Sequence, residues 1–102
     1  MASVLVLYKT PKDSRAFDKH YFETHIPLAK KIPGLRKYEI SSGPVVTPAG
    51  ASDVHMIANL HFDDLVAIQN AFASAEGQAA GADVQVFATG GADMLLFETR
   101  DV

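Results

Sequence analysis

Val4-Leu5-Val6-Leu7 is apolar at every position, and the turn Lys9-Thr10-Pro11-Lys12-Asp13 ends the run, so Ser3 to Tyr8 reads as a buried strand. The period then changes. Asp13 or Ser14 can cap a helix on which Phe17, Tyr21, Leu28 and Ile32 recur near the 3.6-residue spacing, with Asp18, Lys19 and Lys30 between them. Pro27 interrupts this helix. It has no N–H for the Glu23 carbonyl and pushes Ile26 away from helical geometry, which predicts a kink or a short second helical piece before Ile32-Pro33-Gly34 stops it.

Leu35 to Ser42 forms a second strand of mixed character. Gly43 to Ser52, holding Pro44, Pro48 and Gly50, is one long loop and the expected mobile element. Val54 to Phe62 is a third strand. Asp63 and Asp64 then open a helix with the apolar stripe Leu65, Ile68, Phe72 and Ala75, an Ala-rich helical piece runs from about Glu76 to Phe87, and Met94 to Thr99 is the last strand. The order predicts an α+β fold of ferredoxin-like βαββαβ type, a single domain over 1–102 with a four-stranded antiparallel sheet and helices on one face. Val4 to Leu7 and Met94-Leu95-Leu96-Phe97 do not alternate, as strands with one wet face should. Two helical regions cover only one face, so an identical sheet is expected on the other and the chain is expected to be a homodimer.

Composition supports the need for a second copy. At 102 residues, 48% of them hydrophobic, the core must be thin, because a chain of this size hides only about 60 to 70% of its unfolded surface. No cysteine is present, which removes disulfides and thiolate metal sites and is compatible with the cytoplasm. The first apolar stretch ends at Lys9, far short of the roughly 18 residues that a membrane span needs. A net charge of −3 argues against nucleic acid, whose binding relies on clustered Lys and Arg. There is no GxxxxGK or GxGxxG turn to seat a nucleotide or flavin and no GxSxG nucleophile turn, so no cofactor is expected.

The candidate chemistry centres on Tyr21 and His25. Four residues apart, they share a helical face with Phe17 and Leu28, turned toward the sheet. An imidazole that titrates near neutral pH, set against a phenol in an apolar cleft, can take a proton from an acidic carbon or hydroxyl and stabilise the anion. The plainer alternative is that His25 bonds a carbonyl freed by Pro27. On the third strand His55, Ile57, Asn59 and His61 share one face, opposite Val54, Met56, Ala58, Leu60 and Phe62. That polar row meets a ligand, or it lies at strand ends in water with Asn59 bonded across a dimer. Phe17, Leu28, Tyr38, His55, Asn59 and His61 are the candidate substrate contacts, with His25 and Tyr21 the candidate catalytic pair. His20 and His25 are five apart, about 140° on an α-helix, and His55 and His61 stand about 20 Å apart along a strand, so no metal site is expected from them. Asp63, Asp64 and Asp83 read as structural, Asp83 being either a cap or a cleft carboxylate.

The stretch His20-Tyr21-Phe22-Glu23-Thr24-His25-Ile26-Pro27-Leu28-Ala29, the stop Ile32-Pro33-Gly34-Leu35, and the later Ala73-Ser74-Ala75-Glu76-Gly77-Gln78 with Ala82-Asp83 and Phe87 resemble the EthD family. That family is named for a protein associated with ethyl tert-butyl ether degradation. The resemblance runs from about Val4 to Glu98. It implies the dimeric α+β barrel superfamily, in which two sheets close into a barrel and each subunit keeps a cleft between sheet and helices. Members often accompany oxidative degradation, and relatives include cofactor-free monooxygenases and isomerases. Fold does not settle chemistry. An enzyme, such as a cofactor-independent oxidoreductase or a proton-transfer catalyst acting on a hydrophobic small molecule, stands beside a non-catalytic binding protein serving a separate oxygenase. A purely structural stress protein is a third reading.

Overall fold

The computed structural model describes residues 1–102. Strand β1 (Ala2–Lys9) leads through α1 (Ser14–His20), a single π turn (Tyr21–His25) and α2 (Ile26–Ala29) to β2 (Lys37–Ile40). A small hairpin of β3 (Val46–Thr47) and β4 (Gly50–Ala51) precedes β5 (Val54–Phe62). Two helices, α3 (Leu65–Ala73) and α4 (Ala75–Phe87), then lead to β6 (Ala92–Glu98). The main sheet is antiparallel in the order β2-β5-β1-β6, with helices packed on one face, which is the ferredoxin-like arrangement. No helix is long and apolar enough to cross a membrane.

Alternation along the central strands decides which side is inside. Val4, Val6 and Tyr8 of β1 and Met56, Ala58, Leu60 and Phe62 of β5 face the helices and are buried. Leu5, Leu7, Ile57 and Asn59 lie on the opposite face and are only half-covered. Every residue of β6 is exposed, because it is an edge strand lying outboard of the helices. Its apolar run therefore is not covered on both faces by this one chain. Leu95, paired with Leu5, lies on the open face, and Met94, paired with Val6, lies on the helix side.

Three local departures from the sequence pattern have physical causes. The helix after Asp13 widens before Pro27: Ile26 N–H donates to the Tyr21 carbonyl, one residue further back than in an α-helix. A proline ring clashes with the carbonyl four residues earlier, and a wider turn upstream moves the Glu23 carbonyl aside. The stretch 43–52 is not one open loop. Pro48 and Ala49 form the tip of the β3–β4 hairpin, closed by the Thr47 Oγ1–H donating to the Gly50 carbonyl at 3.1 Å. β2 is shorter than Leu35 to Ser42, yet Arg36 and Ser41 just outside it still donate backbone N–H groups to His61 and Ile57.

Capping fixes the helix starts. Asp13 Oδ1 accepts the Arg15 and Ala16 N–H groups at 3.1 Å each, and Asp64 Oδ1 accepts the Ala67 N–H at 2.8 Å. Ser74 ends α3 and begins α4, its Oγ accepting the Gly77 N–H at 3.0 Å. The close approach of α3 and α4 requires Gly77, since a Cβ there would overlap the Ala71 carbonyl. α4 then presents Gly77, Ala80, Gly81, Val84 and Phe87 along one side, three and four residues apart, toward the sheet.

Candidate active site

Between that side of α4, the π turn and the helix face of the sheet lies an apolar cavity of about 390 Å³. β1 and β5 supply its floor with Val4, Val6, Ala58 and Leu60, and β2 contributes Tyr38. Such a volume suits a small organic ligand.

The polar groups of the cavity are few and convergent. Tyr8, Tyr21 and Tyr38 bring three phenols together, and the Tyr21 and Tyr38 hydroxyls share a hydrogen bond of 2.5 Å. Burial pushes all three hydroxyls above the ordinary tyrosine value, and for Tyr8 and Tyr21 neighbouring phenols add to the effect. They therefore stay protonated and act as hydrogen-bond donors rather than bases.

His25 lines the same cavity. Its ring is packed 4.8 Å from that of Phe87 and 5.1 Å from that of Tyr21, and it is only 5% exposed. Nδ1 lies 3.0 Å from Asp83 Oδ2. An ionised carboxylate can only accept, so Nδ1 carries the proton and Nε2 is left as the unprotonated nitrogen, without a protein partner. Burial holds His25 below the ordinary histidine value of 6.5, while the bond to Asp83 opposes this and nearby His20 adds to it. The imidazole is thus neutral and basic near neutral pH. Asp83 also accepts from His20 Nε2 at 2.8 Å, so one carboxylate spans two imidazoles. On a regular α-helix His20 and His25 would diverge. The π turn, whose hydrogen bonds join residues five apart, brings both to the same side.

Tyr21, His25 and Tyr38 line the cavity. Phe17 does not: fully buried, it packs behind the wall against Tyr8, Tyr21 and Phe87 and borders a smaller recess beside His20. Leu28 is half-buried on α2 and does not reach the cavity either. His55, Asn59 and His61 are not on one face. A bulge opposite Lys9 leaves His55 without a partner on β1 and turns it to the helix side, where it meets Phe17 and bonds Asp18 at 2.8 Å. His61, on the open face, pairs with Glu39 at 2.7 Å, and Asn59 Oδ1, on the same face, has no partner. Asp63 pairs with Arg36 and Asp64 is a cap. Asp83 is not a helix cap, and it does not line the cavity: it lies behind His25, its side chain 10% exposed, and bonds both histidines. Its signal in the sequence was an acid on the inner side of an Ala-rich helix, one turn before Phe87.

A ferredoxin-like domain holding a histidine–aspartate pair against a phenol-lined apolar cavity has the outline of a small-molecule site. Comparison with known proteins gives the family. The EthD domain matches residues 9–91, and the chain belongs to the EthD family. It is similar to an uncharacterized 11.0 kDa protein from the thcB-thcC intergenic region of Rhodococcus erythropolis, 37% identical over all of this chain and 98% of that one. An EthD family protein of known structure from Bacillus halodurans C-125 is 36% identical. It superposes with a TM-score of 0.90 over 98% of this chain and 99% of its own. SnoaB, a cofactor-independent oxygenase from Streptomyces nogalater, shares the fold at 14% identity and a TM-score of 0.69, covering 99% of this chain and 94% of its own.

Proposed function

We propose that the protein is a cytoplasmic, homodimeric, cofactor-independent enzyme that removes a proton from a hydrophobic small molecule. The observation that carries this reading is the Asp83-held His25, whose other nitrogen has no partner, in a cavity edged by three protonated phenols. The apolar body of the substrate occupies the cavity. Nε2 takes a proton from an acidic C–H or O–H, the imidazolium is stabilised by Asp83, and the phenol donors stabilise the oxygen anion left behind. Such an anion is the common starting point for returning the proton elsewhere on the molecule or for reaction with dioxygen. The oxygenase sharing the fold is in keeping with the second course.

The test uses para-nitrophenol, which absorbs differently as phenol and phenolate. Bound to the parent protein at a pH below its own pKa, it should show the phenolate band, and His25→Gln should bind it without that band. Binding with no ionisation in either protein would favour the non-catalytic carrier. Ionisation that survives in His25→Gln would remove His25 from its role.

A further inference from the structure

Gly81 has no reason in the packing to be glycine. It sits in the middle of α4, where glycine is unfavourable relative to alanine. It is not at a positive φ, and a Cβ there would meet nothing within 4 Å. Gly77, one turn earlier, is the internal contrast, for its missing side chain is demanded by the Ala71 carbonyl. Yet Gly81 lines the cavity with Gly77, Ala80 and Val84, so part of the open space beside it belongs to the cavity. It is also exposed, which puts it at the mouth, beside Gln78 and Ala82. His25 lines the same cavity at 5% exposure, held by Asp83 through Nδ1, with no protein hydrogen bond at Nε2.

We propose that Gly81 is a specificity-determining residue that leaves room for a flat, ring-bearing ligand to pass between α4 and the phenols and reach His25. This rests on the reading of the cavity as the ligand site. A planar aromatic or enolic molecule can lie against a bare helix backbone at Gly81. Any side chain there occupies the same space, so each added carbon should exclude larger ligands first.

The experiment measures binding of β-naphthol, by its fluorescence, and of para-nitrophenol to the parent and to Gly81→Ala, Gly81→Val and Gly81→Leu, with thermal melts of each. Gly81→Ala should raise Tm by roughly 2–8 °C, as a helix-interior glycine replacement without a steric clash does. Gly77→Ala should lower it. Affinity should fall in the order Ala, Val, Leu, with the Leu variant on the order of tenfold weaker or more, and β-naphthol should lose more than para-nitrophenol. If the parent binds and the series binds equally well, Gly81 sets nothing and the inference fails while the site stands. A parent that binds neither probe overturns the site reading along with it. The stable Ala variant keeps the test decisive if Leu prevents folding.

Discussion

Asp83 does for His25 what no residue lining the cavity can. It fixes the tautomer, so that Nε2 is the free lone pair, and it supplies the counter-charge when that nitrogen takes up a proton. Burial acts against it by disfavouring the imidazolium of the empty site. The balance leaves a histidine that folding holds below its ordinary value, and this has a measurable sign. As pH falls below 6.5 the unfolded chain takes up this proton before the folded one does, so stability is lost on acidification and regained as pH rises. Tm should therefore drop between about pH 7 and about pH 5, and His25→Gln should remove His25's share of that slope. Asp83, His20 and Tyr21 face this ring and remain in the variant, so the difference between the two melting profiles isolates it. Equal slopes would contradict the assignment. At this scale the pair Tyr21 and His25 was legible from spacing, since four residues share a face on either kind of turn. Asp83 was harder to read, because an acid among alanines is as compatible with a solvated face as with a cleft.

The π turn is the element on which the site depends. Pro27 announced a disturbance in the helix, and the short α2 is the second piece it predicts, but a proline does not say that the disturbance adds a residue upstream. That extra residue is why His20 and His25 meet on one carboxylate. Replacing Pro27 with alanine removes the ring clash that the wider turn relieves, so the segment should wind as an α-helix with His20 and His25 still five residues apart, drawing His25 off Asp83. The variant should keep its far-ultraviolet circular dichroism and lose ionisation of bound para-nitrophenol. Retained ionisation would mean that the turn is incidental. Strand and helix limits elsewhere were legible because period and caps agreed, as with β5 and with Asp64 before α3. The His55 bulge was not, since one unpaired residue leaves no trace in a period of two.

For the whole molecule the open face of the sheet is the unresolved demand of the fold. Leu5, Ile57, Leu95 and Phe97 lie there without a helix above them, and Asn59 Oδ1 is shut off from solvent with no donor. A second copy laid sheet to sheet would cover the apolar row and bring a donor within reach of Asn59. Val4 to Leu7 pointed to this from the sequence, as an alternating strand would have pointed to water. In sedimentation the parent should run as a dimer of 11.0 kDa chains at micromolar concentration. Leu95→Glu, which places a charge at 53% exposure on that face, should run as a monomer. A parent that is monomeric at that concentration would contradict the assembly.

The chemistry proposed for the site depends on which nitrogen of His25 holds the proton in the ligand-free protein. Nitrogen NMR of the histidine side chains near pH 7 reads this directly. The predicted result is a neutral ring protonated at Nδ1, with Nε2 bare and shifting on addition of para-nitrophenol. A ring protonated at Nε2, or an imidazolium at that pH, would contradict it.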